Sequence, residues 1–400
     1  MSYLDKLLEA HEVEWKTLGE YTDYEQPTKY RVNSKEYSDE YETPVLTAGK
    51  TFILGYTDET NGIYKASEKP VIIFDDFTTA NKWVDFDFKV KSSAMKMITS
   101  KDESLALLKY IYYWLNTLPS GLVDGDHKRQ WISSYANKKF PIPCPDNPKK
   151  SLEIQQKIVD ILDKFTELTA ELTAELTARK QQYEYYREQL LSFDVDEVKH
   201  LPLGDDSLGK FIRGSGLQKK DFTQSGVGCI HYGQIYTHYG TYANTTKSFV
   251  SEEFAKKARM AKLGDLVIAT TSENDEDVCK AVAWLGEEDI AVSSDACFYT
   301  HKLNPKYVAY FFQTEQFYKQ KMPFITGAKV RRVNADNLAK IKIPVPSPEE
   351  QERIVSILDK FDVLTTSITE GLPKEIELRQ KQYEYYREQL LTFPKDTIEA

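Results

Sequence analysis

Few side chains in this 400-residue chain stand at spacings suited to covalent chemistry. The four cysteines, Cys144, Cys229, Cys279 and Cys297, lie far apart with no Cys-x-x-Cys, so neither a zinc site nor a disulfide framework is indicated. The six histidines show no metal-ligand spacing. Asn304-Pro305-Lys306-Tyr307 departs from the Asn-Pro-Pro-aromatic loop that grips an amino group during methyl transfer, because Lys306 replaces the second proline. An asparagine capping a helix whose first residue is proline explains it better. Gly49-Lys50-Thr51 ends like a phosphate-binding loop, but Pro44 stands where the upstream glycine is required. There is no Gly-x-Gly-x-x-Gly, and no Glu-x-Lys cluster follows Asp75-Asp76. The sequence shows no catalytic constellation.

It does contain residues suited to a polyanion. Gly125-Asp126-His127-Lys128-Arg129-Gln130-Trp131 aligns approximately with Thr326-Gly327-Ala328-Lys329-Val330-Arg331-Arg332. A glycine-flanked basic loop approaches phosphates closely and supplies bidentate arginine contacts. Lys128, Arg129, Lys329, Arg331 and Arg332 are therefore candidate DNA contacts. Thr78, Thr79, Asn81, Lys82 and Trp83 offer donors, acceptors and a stacking surface, as do Tyr232, Gln234, His238, Thr270 and Ser272. For Trp83 and Tyr232, burial in a core is an equal alternative. The net charge of −10 counts against a nucleic-acid binder, although phosphates feel the local field and not the chain average. Many carboxylates (Glu153, Asp160, Asp163, Glu167, Glu171, Glu175) fall on one segment with helical periodicity, away from these candidates.

The elements that position these residues are written twice. Ile158-Val159-Asp160-Ile161-Leu162-Asp163-Lys164-Phe165 recurs as Ile354-Val355-Ser356-Ile357-Leu358-Asp359-Lys360-Phe361, and the ten residues Gln182 to Leu191 recur unchanged as Gln382 to Leu391. More weakly, Pro143-Cys144-Pro145 parallels Pro344-Val345-Pro346, and Lys109-Tyr110-Ile111-x-Tyr113 parallels Lys306-Tyr307-Val308-x-Tyr310. The intervening regions share little else, so one frame carries two different contents. The boundaries read 1–150 and 196–346 for two globular regions, with helices over 151–195 and 347–400. Short strands such as Val71 to Phe74 and Leu266 to Thr270 mark both regions as mixed α/β (α+β), with loops over Gly55 to Gly62 and Ser272 to Asp277. Tyr110 to Leu115 and Tyr307 to Tyr318 read as helices.

From Ile158 the apolar positions run Ile161, Phe165, Leu168 and Leu172, the 3.5-residue average of a coiled-coil seam. A tandem four-residue unit, Thr169-Ala170-Glu171-Leu172-Thr173-Ala174-Glu175-Leu176, adds a stutter before Tyr183 and Tyr186 resume the pattern. Ser151 to Phe193 would make a rod of roughly 65 Å. The C-terminal copy runs Phe361, Leu364, Ile368, Leu372 into Gly371 and Pro373, which predicts a break with Pro373 restarting the helix at its first position. From Phe361 to Gln382 this copy is four residues longer than from Phe165 to Gln182. Antiparallel pairing of the helices would bury both seams. The spacer and docking candidates are Leu168, Leu172, Leu176, Tyr183, Tyr186, Leu364, Ile368, Tyr383 and Tyr386. No apolar run approaches the ~20 residues of a membrane span, and the start has no secretory pattern, so a membrane-free cytoplasmic protein is expected.

Two unlike regions, two near-identical helical segments and the tandem Thr-Ala-Glu-Leu unit resemble the specificity subunits of type I restriction-modification systems, in the subgroup whose central helix carries such repeats. The resemblance implies two target-recognition domains separated by two long antiparallel coiled-coil helices, a pseudo-twofold internal repeat. It implies that each domain reads half of a bipartite, asymmetric site on double-stranded DNA. The helices would set the gap and dock two methyltransferase subunits, with motor-nuclease subunits in the full complex. S-adenosylmethionine, ATP and Mg²⁺ would then belong to those partners, which methylate adenine N6 or cleave, and this chain would hold no cofactor. The competing readings are a coiled-coil scaffold holding two protein ligands apart and a self-contained DNA nuclease or methyltransferase.

Overall fold

The computed structural model describes residues 3–9, 11–49, 51–119 and 129–394. It divides into two compact units, Met1–Leu172 with Ile376–Ala400, and Thr173–Glu375. The units therefore unite segments that are distant in sequence. The first contains the beginning of the central helix, Pro148–Leu190, and most of the last helix, Leu372–Leu391. The second contains the end of the central helix and the whole helix Pro348–Thr366. Each unit thus holds the start of one long helical segment and the end of another, as antiparallel pairing requires.

In the first unit, Thr22–Glu25, Met95–Ser100, Val71–Asp75 and Asn81–Val84 form an antiparallel sheet in that order. Val71–Asp75 is buried at every position because both of its faces are covered. Alternation along the strand sends Ile72 and Phe74 into a core with Tyr110, Ile111 and Trp114 of helix Leu108–Leu115. Val71 and Ile73 face the other way, against Leu46, Phe88 and Val90. Ile154, Ile158 and Leu162 of the central helix join the first core, as do Leu390, Leu391 and Phe393. Past the last helix, Trp15 Nε1 donates to the Pro394 carbonyl (3.1 Å).

The second unit repeats this logic with different strands. Gly209–Arg213, Ala296–His301, Leu266–Ala269, Ala281–Trp284 and Tyr242–Ala243 form one sheet in that order. Leu266 and Ile268 meet Tyr307, Val308 and Phe311 of helix Pro305–Phe311. Val267 and Ala269 face Ile230, Ile290 and Val292, which stand on strands Val227–Ile230 and Ile290–Val292 of a second five-stranded sheet.

The helix break is present, displaced by one residue: the helix ends at Thr366 and resumes at Leu372, so Pro373 is its second residue. Gly371 adopts φ +82°, and a Cβ there would lie 2.4 Å from the Val363 carbonyl oxygen, so the turn requires glycine. Ile368 falls in this interruption and is 77% exposed, which removes it from the seam. Three further expectations are corrected. Ile53–Thr57 is a strand, with Gly55 packed against the Tyr37 side chain where the sequence reads as a loop. Ser272 belongs to strand Thr271–Ser272. The segment Tyr307 to Tyr318 is two helices, because Thr314 caps a new one, Glu315–Lys321, by accepting from Phe317 N. Asn304 does cap Pro305–Phe311, accepting from Lys306 N and Tyr307 N. Among the described residues no helix is long and apolar enough to cross a membrane.

Candidate nucleic-acid interface

Three candidates of the second unit, Ser272, Arg331 and Arg332, stand on one small ladder, and Thr270 and Lys329 flank it in sequence. Strand Thr271–Ser272 pairs antiparallel with Arg331–Arg332, placing Thr271 opposite Arg332 and Ser272 opposite Arg331. Thr326 and Arg332 exchange both backbone hydrogen bonds at 2.9 Å, which closes a loop around Gly327 to Val330. Gly327 sits at φ +91°, where a Cβ would lie 2.1 Å from the Val330 oxygen. The turn leaves Lys329 exposed at its tip. Arg331 is held by Asp275 (2.9 Å) and donates to the Gly327 carbonyl (2.5 Å). Arg332 is 59% exposed and 3.8 Å from Asp295. Thr270 Oγ1 donates to the Asp295 carbonyl (2.9 Å). Beside this ladder lies a cleft of about 310 Å³ lined by Arg213, Thr270, Asp295, Arg332 and Asn334, among others.

Helix Tyr232–Thr237 borders the same corner. Its Tyr236 hydroxyl donates to the Thr271 carbonyl (2.8 Å), and Tyr232 N donates to Ser293 Oγ (2.9 Å). Gln234 is committed to structure: its Oε1 accepts from His231 N (3.0 Å) and its Nε2 donates to Ser248 Oγ (2.7 Å). His231 Nδ1 accepts from Gly233 N, and burial, aided by Lys219, holds the ring below the ordinary histidine range and so in the neutral form that can accept. Tyr232 is half-buried against the His231 ring, whereas His238 is exposed at the helix end.

The first unit distributes its candidates differently. Asp75 Oδ1 accepts from Phe77 N (2.8 Å) and Thr78 N (3.1 Å), shaping a turn that exposes Thr78 and buries Thr79 at φ +61°. Lys82 is exposed on strand Asn81–Val84, and Asn81 accepts from Asn116 (3.1 Å). Trp83 is half-buried; its Nε1 donates to Asp85 (3.1 Å), and Lys109 lies 5.2 Å from its ring centroid. Arg129 is exposed, and Gln26, with its amide oriented to satisfy both, accepts from Arg129 (2.5 Å) and Lys96 (2.9 Å). Lys96 is buried 3.6 Å from Asp76; burial holds its ammonium below the usual lysine range, against the pull of Asp76. Trp131 packs in the core on Phe74, which also meets Tyr135. Lys128 lies outside the described residues.

The two basic segments therefore do not share a backbone. Arg129 leads into helix Gln130–Ser133, whereas Arg331 and Arg332 form a strand. Arg213 and Asn334, which line the cleft, had no local sequence signal: Arg213 is brought to the cleft by the pairing of its strand with Ala296–His301.

On the helices, Phe165 stacks on Tyr386 (5.2 Å) in the first unit, and Phe361 stacks on Tyr183 (6.1 Å) and Tyr186 (5.5 Å) in the second. Leu168, Leu172, Leu176 and Leu364 are half-buried, and Tyr383 packs against the first core. The repeated ten residues present the same outward ring twice: Tyr185 is 61% exposed and Tyr385 60%.

A family profile described as the type I restriction modification DNA specificity domain matches residues 11–179 and again 206–378. A type I restriction enzyme specificity subunit from Escherichia coli is 53% identical over 397 residues, covering 99% of this chain and 98% of that protein. A putative type I restriction enzyme specificity subunit from Haemophilus influenzae is 32% identical over 414 residues, covering 98% of each. The crystal structure of a type I restriction-modification S subunit from M. genitalium superposes with a TM-score of 0.58 at 16% identity, over 96% of this chain and 98% of that one, a likeness of fold alone. Repeated frame, repeated profile match and full-length identity agree, and the chain belongs to the DNA specificity subunits of type I restriction-modification systems.

Proposed function

We propose that each compact unit reads one half of a bipartite, asymmetric site on double-stranded DNA, and that the helices fix the gap between the halves. In the second unit the reading surface is the Thr271–Ser272 and Arg331–Arg332 ladder with the loop tip at Lys329. In the first it is the exposed turn and strand carrying Thr78 and Lys82, together with Arg129. Arginine and lysine on these loops bind phosphates, and the neighbouring hydroxyl and amide groups suit base edges. The chain works in the cytoplasm as a non-catalytic adaptor. Two methyltransferase subunits dock on its repeated helical segments, and motor-nuclease subunits complete the assembly. S-adenosylmethionine, ATP and Mg²⁺ bind to those partners, which methylate adenine N6 after flipping it from the stack or cleave the DNA.

The observation that carries this reading is the equal exposure of Tyr185 and Tyr385 within a segment identical at ten positions. A large aromatic ring left in water costs solubility, and its retention in both copies fits two copies of one partner. Around them the strand-bearing part of each unit, its head, differs from the other, as two readers of different words must. Footprinting of DNA by the chain assembled with its methyltransferase subunits tests the reading. Two protected words separated by a constant gap are expected; no sequence-dependent protection would leave the scaffold reading, and turnover by the chain alone the enzyme reading.

A further inference from the structure

Each head is joined to a helix by the same set of polar contacts, and the set recurs although the heads differ. In the first unit Asp163 accepts from the Tyr113 hydroxyl (2.5 Å) and pairs with Lys109 (2.8 Å). In the second Asp359 accepts from the Tyr310 hydroxyl (2.7 Å) and pairs with Lys306 (2.6 Å). Each lysine also lies over an aromatic ring, Lys109 over Trp83 (5.2 Å) and Lys306 over Tyr242 (3.8 Å). Eight residues before each aspartate, a buried glutamine grips head backbone. Gln155 accepts from Leu107 N and Gln351 from Asn304 N, both at 2.9 Å. Their amide nitrogens donate to the Leu105 and Pro346 carbonyls respectively.

Adhesion alone does not account for this set. Ile154, Ile158 and Leu162 in one unit, and Ile354, Val355 and Leu358 in the other, are already buried against the heads and supply the apolar contact. The ion pairs are partly exposed, with Asp163 at 35% and Asp359 at 27%, a setting in which such pairs add little to stability. Apolar surfaces tolerate sliding, whereas a carboxylate held by two donors has a fixed direction. Lysine and tyrosine four residues apart share one helix face, so a single aspartate that engages both resists rotation as well as sliding.

We propose that Asp163 and Asp359 are positioning residues for DNA reading: each locks one head at a fixed angle on the helix that carries it, and discrimination of gap length depends on them although neither touches DNA. The inference rests on the two-reader function above. The test uses the full chain assembled with its methyltransferase subunits, and DNA whose gap is native or one base pair longer or shorter. Asp359→Asn and Lys306→Met lower the native-to-altered methylation ratio by about fivefold or more, the effect of about 1 kcal/mol. Lys306→Arg, which keeps the pair, holds the ratio. Val355→Ala lowers the melting temperature and leaves the ratio unchanged, which separates positioning from stability. Ratios within about twofold of the wild type for Asp359→Asn and Lys306→Met, or an equal fall in Val355→Ala, overturn the proposal. A wild-type complex with no gap preference instead refutes the two-reader function. The joint is then judged by amide exchange in helix Pro305–Phe311: faster exchange in Asp359→Asn supports the lock, and unchanged exchange removes it.

Discussion

Deleting Thr173 to Leu176 removes one four-residue unit and rejoins Leu172 to Thr177 without changing the local pattern. The central helix is continuous through this stretch, and Thr177 Oγ1 bonds back to the Thr173 carbonyl (3.0 Å). Leu168, Leu172 and Leu176 stand on one half-buried row. Removing four residues shortens the helix by ~6 Å and turns its end by only ~40°, because four residues slightly exceed one turn. B-DNA rises ~3.4 Å and turns ~34–36° per base pair, so the translation corresponds to nearly two base pairs and the rotation to about one. The deleted chain, assembled with methyltransferase subunits, should therefore methylate the same two words with a gap one or two base pairs shorter. Sequencing of modified adenines in a randomised-gap library reads this directly. An unchanged gap, or an altered word at either end, would refute the idea that helix length sets the spacing.

Other consequences concern charge, protonation and the helix break. Lys329→Ala and Arg332→Ala should each reduce the salt dependence of DNA binding by about one unit in the log–log slope, measured by anisotropy across salt concentrations. Unchanged slopes would take the loop off the phosphates. Burial pushes His301 down to about 4 from an ordinary 6.5, so the unfolded chain binds the proton more readily between those values. Its contribution is complete above about pH 6.5 and is lost as pH falls towards 4. Urea unfolding at about pH 7 and pH 5 should show a smaller acid loss in His301→Gln, and an equal loss would assign the effect elsewhere. Gly371→Ala drives a methyl group to 2.4 Å from the Val363 oxygen in a left-handed turn, and should cost about 1–3 kcal/mol in thermal melts.

Much of the frame was legible because repetition is independent of geometry. Asp163 and Asp359, Tyr113 and Tyr310, and Lys109 and Lys306 all stand in segments that the sequence pairs, and each pair makes the same contact. The cap at Asn304 and the interruption at Gly371 rest on local backbone rules and appear within a residue of expectation. Contacts made through strand pairing were not legible. Nothing local marks Trp83 as the platform under Lys109, or Gln234 as a cap that also reaches Ser248. The approximate match between the segments around Arg129 and Arg331 did not predict that one enters a helix and the other a strand, since the partner strand Thr271–Ser272 lies sixty residues away. The return of Leu390, Leu391 and Phe393 to the core begun by Leu4 and Leu7 is likewise a tertiary fact.

Single-molecule mapping of modified adenines in cells expressing this chain with its methyltransferase partner tests the central claim most directly. Two short, unlike words separated by a constant stretch of unspecified bases, with one modified adenine in each, are predicted. A continuous word, a gap that varies from site to site, or modification at a single half would contradict the account.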